Sequence, residues 1–100
     1  MSQVITMDTS QFQRHAAQLI DEFKPRIPES GIELIDIPLS GGEYGYAIED
    51  LVGLIERYDI PVSGGERDEF RQLLGFLDAD TSVVDGFRGR DDQSGTTAPA

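Results

Sequence analysis

The sequence predicts an all-α protein: a small bundle of three main helices, with short helical pieces and a disordered C-terminal tail. Three observations carry this expectation. Apolar residues recur at the three-and-four spacing of one helix face in three separate stretches. Each stretch follows residues able to cap a helix. Finally, Asp36-Ile37-Pro38-Leu39-Ser40-Gly41-Gly42-Glu43 returns as Asp59-Ile60-Pro61-Val62-Ser63-Gly64-Gly65-Glu66, differing only by Leu for Val, and each copy reads as a helix start.

Residues 1–7 alternate weakly and are expected to form a flexible leader, followed by a single helical domain over 8–88. Asp8, Thr9 or Ser10 can cap a first helix running to about Phe23, with Phe12, Ala16, Leu19, Ile20 and Phe23 on its core face. Pro25 stops it, and Pro28 keeps the next residues extended. The stretch from Ser30 to Leu39 carries two patterns. Ile32, Leu34 and Ile35 suit a short helix begun at Ser30, whereas Ile35, Ile37 and Leu39 alternate like a strand. A lone strand would have no partner, so a short helix ending near Asp36 is the expectation.

In each copy of the repeated segment, proline holds the preceding isoleucine, Ile37 or Ile60, in an extended conformation. Ser40 and Ser63 are then natural N-caps. Glu43 and Glu66 complete Ser-x-x-Glu, in which the serine oxygen takes a helical N–H and the glutamate reaches back to the serine N–H. The glycine pair is less expected, since each helical glycine costs about 1 kcal/mol relative to alanine. Glycines at a helix start could also cradle a phosphate on bare N–H groups. Neither copy has the lysine such a loop uses, and a glutamate stands where the anion would sit. Capping is the better account, and one repeated segment falls short of the three units a solenoid needs.

The central helix is expected from Glu43 to Tyr58. Ala47, Leu51, Leu54 and Tyr58 fall together on one side, widened by Tyr44, Ile48, Val52 and Ile55, an arc broad enough to meet two neighbours. The opposite side carries Tyr46, Glu49, Asp50, Gly53 and Glu56, with Gly45 and Arg57. Tyr46 is the odd member. A neighbouring loop could cover it, or it could contact a partner, since tyrosine is favoured at binding hot spots. Gly53 on the same face would let another backbone come close. A further helix is expected from Glu66 to Leu77, buried through Phe70, Leu73, Leu74 and Leu77. Asp78-Ala79-Asp80-Thr81-Ser82 resembles the start of a calcium loop but has Val83 where glycine is needed and Gly89 where a bidentate glutamate is needed. Asp80 or Thr81 is instead expected to cap a last short turn with Val83, Val84 and Phe87. Residues 89–100 are too polar to form a core and are expected to be a disordered tail.

The chain has 19 acidic and 8 basic residues, a formal charge of −11. Direct nucleic-acid binding is disfavoured, because lysine and arginine drive phosphate contacts. Acid is concentrated between Ser30 and Ile60, where Glu33, Asp36, Glu43, Glu49, Asp50, Glu56 and Asp59 face only Arg57. That excess serves solubility, or it forms a docking face for a basic partner, where such a field speeds encounter. No cysteine is present, so disulfides and thiolate metal sites are excluded. Without a long apolar run or a signal-peptide pattern, the expectation is a soluble cytoplasmic protein with no membrane contact.

No nucleophile stands beside a base in a recognisable motif. The single histidine, His15, lies off the apolar stripe with no ligand set around it, and the carboxylates lack a His-bearing metal pattern. Neither enzymatic activity, nor a metal, nor a cofactor is expected.

Gly42-Glu43-Tyr44-Gly45-x-Ala47-Ile48-Glu49-x-Leu51, followed by Tyr58-x-Ile60-Pro61-Val62-Ser63 and a glutamate-rich helix, resembles the MafI-type immunity proteins. The resemblance covers roughly Ile32 to Leu77. It implies an all-α fold and tight, non-covalent neutralisation of a cognate toxin domain, often a nuclease. That family enters Gly-Glu-Tyr-Gly from a longer helix, whereas Pro38 and Ser40-Gly41-Gly42 predict an interrupted entry here. The expected partner is a basic toxin domain, met through Tyr46, Glu49, Asp50, Gly53 and Glu56. The alternative is an acidic scaffold or regulatory subunit that acts by oligomerisation with no toxin involved.

Overall fold

The computed structural model describes residues 7–89. The fold is all-α, with helices α1 (Thr9–Phe23), α2 (Glu29–Ser40), α3 (Tyr44–Tyr58) and α4 (Gly64–Phe76). Short 3-10 turns at Lys24–Arg26 and Thr81–Gly86 complete it. α3 packs against α1, α2 and α4 at once, as its broad apolar arc requires.

Asp8 caps α1. Its Oδ1 accepts from the Gln11 N–H at 2.8 Å, and its own N–H donates to Gln11 Oε1 at 3.0 Å. The five apolar positions read from the sequence are all buried. Met7, expected in a loose leader, packs against the core. The rest of the expected leader, 1–6, lies outside the described residues.

α2 departs most from expectation. It starts after Pro28, whose carbonyl accepts from the Gly31 and Ile32 N–H groups at 2.8 and 3.2 Å. It is a full helix of 12 residues, running through Asp36 and Pro38 to Ser40. Ile37 is therefore helical despite the proline after it. Pro38 lacks an N–H, so the helix loses one bond, to the Leu34 carbonyl, in a region close to its end. Asp36 is held from outside by Lys24, whose Nζ lies 2.9 Å from its Oδ1. α2 lies tightly on its neighbours: a Cβ at Gly31 would come within 2.8 Å of Ile27 Cγ2 and 3.1 Å of Leu54 Cδ2.

The first copy of the repeated segment ends a helix, contrary to expectation. The Glu43 N–H donates to the Pro38 carbonyl at 2.8 Å and the Gly42 N–H to the Leu39 carbonyl at 3.0 Å, with Gly42 at φ +76°. This is the glycine-terminated C-cap that satisfies the last carbonyls of a helix. Ser40 does not cap α3; its hydroxyl donates back to the Ile37 carbonyl at 3.0 Å. Glu43 is the residue before α3 and makes no side-chain cap bond.

The second copy does start a helix. Ser63 Oγ accepts from the Glu66 N–H at 3.1 Å, and the Ser63 N–H donates to Glu66 Oε1 at 2.9 Å. Glu66 also receives both Arg26 nitrogens, at 3.1 and 2.7 Å, while Arg26 lies 4.2 Å from the centre of the Phe23 ring. That hydrogen bond raises the Arg26 pKa against partial burial. Upstream, Asp59 at φ 52° ends α3, so Pro61 falls outside any helix.

Phe70 sits between Phe23 and Phe87 with edge-on rings at 5.4 and 5.6 Å, joining α1, α4 and the last turn. Leu77 is only half-buried, and Phe76, unassigned in the sequence reading, stacks on Phe12 at 4.5 Å. Asp80 caps the last turn, accepting from the Ser82 N–H and hydroxyl at 3.0 and 2.7 Å. Those bonds hold its carboxyl below the usual range. Gly89, expected in the tail, forms a parallel bridge with Val62, whose N–H donates to the Arg88 carbonyl at 2.8 Å. Residues 90–100 lie outside the described residues.

Candidate docking face

α3 is pinned from below. Ala47, Ile48 and Leu51 are 0% exposed, and Leu54 and Ile55 are buried beside them. That contact fixes the rotation of the helix and turns the opposite side to solvent. Tyr46, Glu49, Asp50, Gly53 and Glu56 are all exposed on that side, as their spacing predicts. Among the described residues no loop covers Tyr46, which is 64% exposed. Tyr58, expected on the apolar arc, is 42% exposed at the end of the helix.

Ion pairs engage only some of the acids among the described residues. Asp36, Asp59, Glu66, Asp68 and Asp85 each pair with a lysine or arginine. Among the described residues, no base pairs with Glu49, Asp50 or Glu56. Arg57 lines a groove beside Glu49 and Asp50 without pairing to them, so the stripe keeps a net negative charge facing solvent, the condition under which a field steers encounter. No group of three or more potential ligands that could hold a metal ion occurs among the described residues.

Two shallow grooves flank the stripe. On one side Glu43, Gly45, Tyr46, Glu49 and Leu77 line a groove of about 220 Å³. On the other, between α2 and α3, Leu34, Glu49, Asp50, Gly53, Leu54 and Arg57 line one of about 350 Å³. Glu49 borders both. Close approach within the chain occurs at Gly45, where a Cβ would meet Leu77 Cδ2 at 2.9 Å, whereas a Cβ at Gly53 would meet nothing within 4 Å.

Three residues around this face, Glu43, Leu34 and Ile37, are not marked as surface features by the sequence pattern. Glu43, assigned to a capping box, is exposed and lines a groove. Leu34 and Ile37 are exposed to 49% and 70%. Their positions follow once 29–40 is read as one helix with Ile35 inward, because Leu34 and Ile37 then turn away from the core. The competing strand pattern hid that periodicity.

No helix among the described residues is long and apolar enough to cross a membrane. Compared with protein-family models, with curated proteins and with solved structures, the chain matches none.

Proposed function

We propose that this chain is a protein-binding inhibitor, an immunity protein that neutralises a basic toxin domain through the outer face of α3. The observation that carries the reading is the stripe itself: an exposed tyrosine among carboxylates that no base within the described residues neutralises. The resemblance of roughly Ile32 to Leu77 to MafI-type immunity proteins supplies the class of partner. A basic surface would be drawn in by the field and then anchored by the Tyr46 ring. Occupying or bordering a substrate groove that binds phosphates would suffice to block a nuclease, because such a groove is itself basic.

The test begins with a toxin-like reading frame beside the gene, expressed as a domain and bound to the chain by surface plasmon resonance at two salt concentrations. Reversing Glu49 and Glu56 to lysine should slow association and weaken its salt dependence. Tyr46→Ala should instead speed dissociation, costing about 2 kcal/mol or more if the ring is a buried anchor. Wild-type rates in both variants would move the interface off α3.

A further inference from the structure

The outer surface of the α2–α3 pair carries an apolar feature beside the acidic stripe. Leu34 and Ile37 lie one helical turn apart on α2 and are exposed to 49% and 70%. Leu34 shares the groove of about 350 Å³ with Gly53 and Leu54 of α3, while Glu49 and Asp50 border it and Arg57 also lines it. Gly53 has no structural duty within the described chain, since an added Cβ meets nothing within 4 Å. Glycine nevertheless weakens a helix interior. Gly65 and Gly75 of α4 are equally open but line neither groove, whereas a Cβ at Gly31 or Gly45 would strike Ile27 or Leu77 at 2.8 and 2.9 Å.

We infer that this groove receives an apolar side chain from a basic amphipathic helix of the partner, with exposed Leu34 as its apolar wall, Leu54 at its floor and Gly53 admitting the close approach. Glu49 and Asp50 hold the lysines or arginines that flank that side chain. The inference rests on the proposed docking reading and deepens it by naming the element that docks. Charge selects the occupant. A second copy would bring another chain of net charge −11 against the same carboxylates, whereas a helix with cationic flanks meets them favourably. Arg57 repels a cation at its own position, which places the partner's cations near Glu49 and Asp50.

Two synthetic peptides of about 18 residues, long enough to form a helix on binding, separate this inference from the broader one. One is a leucine/lysine amphipathic helix; the other has serine for each leucine and the same charge. Both are titrated into the isotope-labelled full chain and followed by amide chemical shifts. The leucine peptide should shift Leu34, Ile37 and Gly53 and bind about tenfold tighter, the value of one buried apolar side chain. Gly53→Leu fills the groove from an exposed position and should abolish that advantage while leaving serine-peptide binding unchanged. Leu34→Ser should act in the same direction, and thermal melts verify that both variants are folded. Equal affinity of the two peptides, shifts elsewhere, or indifference to both substitutions would overturn the groove assignment. A serine peptide that leaves Glu49, Asp50 and Glu56 unshifted would instead overturn the docking reading beneath it. Sedimentation of the full chain covers the remaining occupant: a dimer dissolved by Leu34→Glu would assign the groove to a second copy and overturn the inference.

Discussion

At Ser63 the hydroxyl and the backbone N–H both pair with Glu66, so two otherwise unsatisfied groups at the start of α4 are satisfied together. Ser63→Ala should lower stability by about 1 kcal/mol in urea melts and speed amide exchange at Glu66. Ser40, the equivalent residue of the first copy, only donates to the Ile37 carbonyl on the surface, so Ser40→Ala should change stability by less than about 0.5 kcal/mol. The paired glycines give a sharper contrast. Gly42 holds φ +76°, so Gly42→Ala should cost about 1–2 kcal/mol. Gly65 is helical with open space around it, so Gly65→Ala should stabilise by up to about 1 kcal/mol. Equal signs in the two melts would refute the assignment of opposite roles. Glu69 is a separate case: it is exposed, yet partial desolvation first, and then the charge of Glu22, raise its pKa against the opposing effect of His15. A raised carboxyl pKa in the folded state means that ionisation destabilises the fold. The penalty is full above the raised value, fades as pH falls through it, and vanishes below the ordinary carboxylate value. Glu69→Gln should therefore raise the melting temperature at neutral pH and lose that advantage in acid.

At the scale of the element, α3 organises the domain because its arc meets three helices. Leu51 is 0% exposed in that contact, so Leu51→Ala should cost about 2–5 kcal/mol, a large share of a small domain's stability. A loss under about 1 kcal/mol in denaturant melts would contradict its place in the core. α2 is bound differently. It buries only Gly31 and Ile35 fully and leaves Leu34 and Ile37 outward, so its apolar side is shared between the core and the surface. That division leaves Leu34 and Ile37 at the surface without exposing the core.

For the whole molecule, the net charge of −11, with α3 acids that no described base pairs with, makes repulsion a standing destabilisation. Raising sodium chloride toward about 0.5 M shortens the reach of that repulsion to a few ångströms and should raise the melting temperature. Neutralising Glu49 and Glu56 to glutamine should yield part of the same gain at low salt and reduce the further effect of salt. A melting temperature that falls with salt in the wild type would show that its ion pairs outweigh the repulsion. The best-formed of those pairs is the two-nitrogen contact of Arg26 with Glu66, which ties the turn after α1 to the start of α4.

The all-α fold, most of the core faces of α1, α3 and α4 (Tyr58 and Leu77 excepted), the cap at Ser63, the caps at Asp8 and Asp80 as one of the alternatives at each start, and the outward stripe of α3 were legible in the chain. Each depends on periodicity or on contacts three or four residues away, which the sequence carries locally. The same locality explains why the stripe was readable and the groove beside it was not: Leu34 and Ile37 belong to another helix, whose pattern also fitted a strand. The repeated segment marks the limit most clearly. Ser-Gly-Gly-Glu can end a helix through a glycine at positive φ or begin one through a capping serine, and the eight residues do not choose. Around the second copy, Val62 is pinned by Arg88 and Gly89 and Glu66 is held by Arg26, so the chain is extended at Pro61 and a helix starts after it. Around the first, Ile35 is buried, Asp36 is held by Lys24, and the helix runs through Pro38 to close on Gly42. The sequence determined what each segment was able to do, and contacts with residues distant in the chain decided which of the two it did.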